Sequence, residues 1–224
     1  RNIKTIYFGI DINQFRPPTP QEKIKAKNTL NIPSDHIVVS CIGRLDPQKD
    51  HLTFLKAARI VDSHLAISRF LIAGSEKGDF SGRKNNYLKE IKRYLNSHSH
   101  LAQKVSFTGF IEDMRPVYWA SDVFVSTSSS IAEAASCALP IVSTKTVSQQ
   151  LIVKNALTGF LTPPKRPDLL AERILTLAKN PNLRRIFGQN GRKHITGHFQ
   201  LQGYVAKVER IYFELLRTTA HIRR

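Results

Sequence analysis

Sulfur, acidic residues and long apolar runs are scarce in this 224-residue chain, and each scarcity removes a class of explanation. Two cysteines, Cys41 and Cys137, are too few for a disulfide framework or a cysteine-based zinc site. Both are expected to be buried, reduced thiols, the first in a strand and the second in a helix. No stretch approaches the ~20 consecutive apolar residues that a spanning helix needs. No G-x-G-x-x-G follows a strand and no P-loop is present, which argues against a nicotinamide, flavin or Walker-type site. No Asp-x-Asp pair offers a metal-diphosphate clamp. His194 and His198 have chelating i, i+4 spacing but lack a neighbouring Glu and a third ligand, so they read as a polar helix face. No metal and no cofactor is expected.

The deficit of acid matters most. Seventeen Asp and Glu stand against 34 Lys and Arg, a net charge of +17, which predicts an anionic partner or surface. The excess is spread over both halves of the chain rather than gathered in a tail. No motif with interleaved aromatics supports specific nucleic-acid recognition, so diffuse polyanion binding is the reading that charge alone supports. The chain starts with Arg and shows no charged-then-apolar leader, and it is read as a piece of a longer polypeptide.

What is present alternates. The runs KTIYFG from Lys4, IVVSCIG from Ile37, RFLIAG from Arg69, KVSFTG from Lys104, VFVST from Val123 and PIVST from Pro140 read as short buried strands. Between them lie patterns of helical period, as in NNYLKEIKRYL, where Tyr87, Leu88, Ile91, Tyr94 and Leu95 share a face. Strand and helix in alternation predict an α/β fold, a Rossmann-like three-layer domain with a parallel sheet whose ligand lies beyond the carboxyl ends of the strands. From Arg166 the pattern is helical only, ending in a helix from about Gly203. That helix carries a stripe of Tyr204, Val205, Val208, Ile211, Tyr212, Leu215 and Leu216 that calls for an apolar partner surface.

Two strand-end segments carry candidate chemistry. In GRLDPQKDH, residues 43–51, Arg44 and Lys49 follow a strand, and Asp50 reads as the N-cap of the next helix. A guanidinium, an ammonium and helix-terminal amides together suit a diphosphate, although exposed cations near helix starts are common. Arg44 is expected to be the one of the two that also packs. In SSSIAEAASCALPIVST, Glu133 sits in the first turn of a small-residue helix, placed to accept hydrogen bonds from ribose hydroxyls. Ser130 and Glu133 also have the S-x-x-E spacing of a capping box.

The segments YFGIDINQFRP, GRLDPQKDH, FLIAG, VSFTGFIEDM, YWASDVFVSTS, EAASCALPIVST and TGFLTPP occur in the order found in the carboxyl-terminal domains of family-4, GT-B-type retaining glycosyltransferases, and the chain resembles such a domain over nearly its whole length. The resemblance implies a single donor-binding domain over 1–224, with helices 166–224 packing on it and an amino-terminal acceptor domain absent from this chain. It implies transfer of a hexose from a UDP- or GDP-linked sugar to a glycan or lipid-linked acceptor, at the cytoplasmic face of a membrane, in polysaccharide or glycolipid synthesis, with an acidic membrane surface as a further partner. Arg44 and Lys49 match the residues that neutralise the departing diphosphate, and Glu133 the second carboxylate of Glu-x7-Glu, which binds ribose. Gly43 and Ser130 stand beside them as donor-binding positions. Phe110, Ile111 and Glu112 match the segment against which the base lies. As an isolated domain the chain is expected to bind nucleotide without transferring sugar.

The pattern also departs from the family. Val125 stands eight residues before Glu133, where the first Glu belongs, and Val147, Ser148 and Leu151 replace a Gly pair and a Glu after the next strand. A catalytically degenerate nucleotide- or glycan-binding or interaction module, and a basic polyanion-binding domain, are therefore the alternatives.

Overall fold

The computed structural model describes residues 3–75, 86–126 and 130–222. In chain order the elements are α1 (Pro20–Thr29), β1 (Ile37–Ile42), a 3-10 turn (Pro47–Lys49), α2 (His51–His64), β2 (Ser68–Ala73), α3 (Asn86–Asn96), α4 (Ser99–Ala102) and β3 (Val105–Gly109). They continue with α5 (Arg115–Ala120), β4 (Val123–Ser126), α6 (Ser130–Ser136), β5 (Ile141–Thr144), α7 (Val147–Ile152), β6 (Gly159–Thr162), α8 (Pro167–Ala178), α9 (Pro181–His198) and α10 (Leu201–Ile222).

All strand pairs are parallel, in the order β3-β2-β1-β4-β5-β6. Helices cover both faces, which is why β1 and β4 are apolar on successive residues rather than alternately. Val39, Cys41, Phe70, Ile72, Val123 and Val125 pack with α2, α3 and α8 on one face. Val38, Leu71, Phe124 and Ile141 pack with α5, α6 and α7 on the other. Tyr87, Ile91 and Leu95 of α3 are buried with Leu88 and Tyr94 packed beside them, the face that the helical period predicts.

The sheet has six strands, but not the six expected. The run from Lys4 forms none: Ile10 makes one isolated bridge to Gln200, and the segment before it lies along α10, where Lys4 pairs with Glu214. Its apolar residues stay largely outside, with Ile3 86% exposed. The sixth strand is β6, which pairs Gly159–Thr162 with β5. Helix α10 starts two residues earlier than expected, and its stripe divides. Tyr204, Val208 and Ile211 are half-buried, whereas Val205, Tyr212, Leu215 and Leu216 are exposed.

Candidate functional site

Because every strand is parallel, every strand-end loop reaches the same edge of the sheet. The strand order reverses between β1 and β4, whose following helices, α2 and α6, lie on opposite faces. A crevice opens at such a reversal. Its two walls touch: the Ser130 hydroxyl at the start of α6 donates to the carbonyl of Ile42, the last residue of β1, at 3.4 Å. Arg44 and Lys49 thus approach the edge from the β1–α2 side, and Glu133 from the side of α6.

The β1 loop is held by its own polar groups. Asp46 caps the 3-10 turn by accepting from the Gln48 amide at 3.0 Å, and Leu45 is buried and bonded to the Ser75 carbonyl. Asp50 stands at the N-cap position of α2 that the sequence suggests, but its carboxylate does not cap the helix. It adopts the left-handed conformation at φ 51, makes no side-chain cap and pairs instead with Lys165 at 2.7 Å. The chain needs this sharp bend to pass from one helix type to the next, and Asp tolerates it better than most residues.

The packing roles of the two cations are also the reverse of expectation. Arg44 is exposed, with its guanidinium 3.3 Å from Asp46. Lys49 lays its stem over Gly43, where a Cβ would lie 3.2 Å from Lys49 Cγ, and it lines a small cavity with Cys41, Thr53, Ser126 and Thr144. Glycine at 43 leaves the space in which that stem rests. Behind the loop His51 is fully buried, and burial lowers its ionisation to about 4, so it adds no charge near neutral pH.

Glu133 does not close a capping box with its carboxylate. Its Oε2 accepts from the hydroxyl of Tyr118 on α5 at 2.5 Å. Burial pushes the Glu133 carboxyl above its ordinary range, and the tyrosine hydrogen bond opposes that rise. Nothing in the sequence pattern pointed to Tyr118, which is distant in the chain. The shortened loop before Glu133, with Thr127, Ser128 and Ser129, lies outside the described residues.

The β3 loop reaches the same edge two strands away from β4's neighbour β1. Ile111 packs against the Val38, Leu71 and Val117 cluster, and this anchors the loop while leaving Phe110 79% exposed and Glu112 exposed. Val125 is buried inside β4, and Val147 is exposed in the first turn of α7. Cys41 and Cys137 are free and buried, with both thiols raised to about 12 by burial; Cys137 falls one residue beyond α6 rather than within it.

Among the described residues, no group of three or more His, Cys, Asp or Glu could hold a metal ion. His194 Nε2 lies 2.8 Å from the Leu151 carbonyl, and His198 Nδ1 lies 3.0 Å from the carbonyl of His194. Among the same residues, no helix is long and apolar enough to cross a membrane.

Comparison with known proteins agrees with this architecture. The chain is 27% identical over 222 residues to the Escherichia coli UDP-Gal:alpha-D-GlcNAc-diphosphoundecaprenol alpha-1,3-galactosyltransferase, covering 96% of this chain and 54% of that protein. It is 26% identical over 202 residues to a GDP-mannose-dependent monoacylated alpha-(1-6)-phosphatidylinositol monomannoside mannosyltransferase of Corynebacterium glutamicum, covering 84% and 50%. The chain thus spans about half the length of these curated relatives. A crystal structure of Anabaena HepE in complex with UDP and glucose superposes with a TM-score of 0.84 at 24% identity, covering 93% of this chain and 56% of HepE. Its fold is that of the carboxyl-terminal domain of GT-B glycosyltransferases. Residues 22–194 match the family described as Glycosyl transferases group 1, and the chain belongs to that family.

Proposed function

We propose that this chain is the donor-binding half of a retaining glycosyltransferase that transfers a sugar from a nucleoside-diphosphate donor to a glycan or lipid-linked acceptor. The acceptor half then belongs to residues beyond this chain. The observation that carries the reading is the meeting of β1 and α6 at the strand-order reversal, which brings a loop with two cations and a helix with a half-buried carboxylate to one crevice. In this reading Arg44 and Lys49 stabilise the diphosphate as the glycosidic bond breaks, since its charge grows in the transition state. Glu133 accepts from ribose hydroxyls, the Gly43 and Ser130 positions border the donor, and Phe110 and Ile111 flank the base. No metal is assigned a part.

The relatives' names include both a UDP-linked and a GDP-linked sugar, which supports nucleotide sugars as the donor class without selecting a base. Titration of UDP, GDP and their sugar conjugates into the protein tests the reading. Binding is expected to discriminate between bases and to change little with salt. Equal affinity for every nucleotide and for random single-stranded DNA, falling steeply with ionic strength, would instead make the domain a polyanion binder. Glu133→Gln is expected to weaken donor binding about tenfold through a lost charge-assisted contact. If the residue merely caps its helix, melting temperature falls and donor affinity stays.

A second reading, nucleotide binding without transfer, is favoured by Val125 and Val147, which offer no carboxylate or close backbone approach to a donor sugar. Nucleotide binding by the whole protein with no turnover of any donor would establish it. The +17 charge supports attachment to the anionic cytoplasmic face of a membrane. Co-sedimentation with anionic but not zwitterionic vesicles, lost at high salt, is the expected result.

A further inference from the structure

The carboxylate of Glu133 is in an unusual setting. It is half-buried, no ion pair reaches it among the described residues, and its hydrogen bond comes from a neutral hydroxyl. A carboxylate removed from water without a cation is costly, and the same hydrogen bond would be satisfied by an uncharged acceptor. Its partner is fixed with unusual care. Tyr118 is fully buried, with Phe15 edge-on at 5.9 Å and Phe124 at 5.7 Å. Phe15 is itself pinned, since its carbonyl accepts from Ser136 Oγ at 2.5 Å and from Arg192 at 3.3 Å. The next carbonyl, that of Arg16, accepts from the Trp119 indole at 2.9 Å.

We propose that Tyr118 is a positioning residue: its hydroxyl holds Oε2 of Glu133 so that Oε1 is presented to the vicinal hydroxyls of a ribose, with Phe15 fixing the tyrosine ring. This rests on the ribose-binding reading of Glu133. Burial raises the tyrosine hydroxyl's ionisation well above its ordinary value, so it remains a donor at any working pH. The charged and titratable groups nearest this pair are Cys137 after α6, which stays a thiol, and Arg192 on α9 and Arg16 on the amino-terminal segment, both of which act on Cys137; α5 also carries Arg115, which pairs with Asp113. Ribose recognition by Glu133 requires the ionised form, so it is lost as pH falls through that group's ionisation. Removing the hydroxyl leaves burial unopposed, and the loss must then begin at higher pH.

The test uses UDP, GDP, their 2′-deoxy forms and inorganic diphosphate with the wild-type protein, Tyr118→Phe and Glu133→Gln. The wild type is expected to prefer the ribose form about tenfold, a single charge-assisted hydrogen bond. Glu133→Gln should abolish that preference. Tyr118→Phe should reduce it to about threefold or less, move the acidic midpoint of nucleotide binding upward, and leave inorganic diphosphate binding unchanged. A wild-type preference and midpoint in Tyr118→Phe, with the preference lost in Glu133→Gln, would overturn the role of Tyr118 alone. An unchanged preference in Glu133→Gln would overturn the ribose reading and this proposal with it. Equal weakening of inorganic diphosphate in Tyr118→Phe would make the tyrosine a general structural support and also overturn it.

Discussion

Replacing Lys49 with Met in the whole enzyme is expected to lower kcat by about 2–4 kcal/mol of barrier, roughly thirty- to a thousandfold, while donor binding weakens far less. The asymmetry follows from where charge develops. A bound nucleotide sugar already carries its diphosphate charge, and bond breaking adds negative charge on the leaving oxygen. A cation placed there lowers the transition state more than the ground state. Met is the informative replacement because the Lys49 stem rests over Gly43 and lines the cavity under the loop. Alanine would remove packing and charge together, whereas Met keeps most of the stem and removes only the ammonium.

Arg44 gives the complementary measurement. Its side chain is exposed but lies near the largely buried carboxylate of Asp46, so Arg44→Ala should lower stability by about 1 kcal/mol by leaving that carboxylate without its nearest cation. If both groups face one diphosphate, as proposed, the effect of Arg44→Ala on kcat should nevertheless match that of Lys49→Met within a factor of ten. Steady-state kinetics with separate donor titrations resolve kcat from binding. Wild-type rates and affinities in both variants would reduce the loop to a solvated turn.

The parts of this fold that were legible in the sequence are those where burial on both faces leaves a largely apolar run, as in Val38 to Cys41, interrupted only by the buried Ser40, and Val123 to Val125. The run from Lys4 has the same composition and failed for want of a neighbour. A strand is defined by a partner, and this segment follows the surface of α10 instead. Strand β6 was hidden because it opens with the glycine that admits Ile141's carbonyl, which leaves only Phe160 and Leu161 as large apolar residues in it. Helix α1 is a further element that was not anticipated, although Thr19, Pro20 and Glu22 form a proline-started capping box.

The placement of the candidate residues was legible to the same extent. Arg44, Lys49 and Glu133 are each marked by position at a strand end, and parallel topology alone brings them to one edge. Asp50's left-handed backbone and the Tyr118 contact were not visible, because one is a dihedral set by the junction of two helices and the other joins two separate helices, α5 and α6. Local pattern identifies which residues reach an edge. Only tertiary contact determines which side chain holds which.

That distinction carries a stability prediction. Gly74 follows β2 at φ 156, and a Cβ there would lie 2.1 Å from the carbonyl oxygen of Gly43 and 2.6 Å from its carbon. The obstructing atoms are backbone, which cannot rotate aside as the end of a long side chain can. Gly74→Ala is therefore expected to cost about 3 kcal/mol, near the top of the overpacking range. The strain falls on two groups that the site depends on: the Gly74 amide donates to the Gly109 carbonyl, and the Gly43 amide to that of Ala73. Relief can come only by moving the β1 loop away from β2, and the Arg44 amide lies 3.2 Å from the same Cβ position. Nucleoside-diphosphate affinity should fall along with stability, which chemical denaturation and calorimetric titration would show in one preparation. Gly203→Ala serves as the control, because nothing lies within 4 Å of its Cβ position on α10 and helix propensity favours Ala by up to about 1 kcal/mol. If Gly74→Ala matched the wild type in both measurements, the β1 loop would have room to retreat without losing its contacts, and its fixed placement against β2 could not be what orients Arg44 and Lys49 toward the crevice.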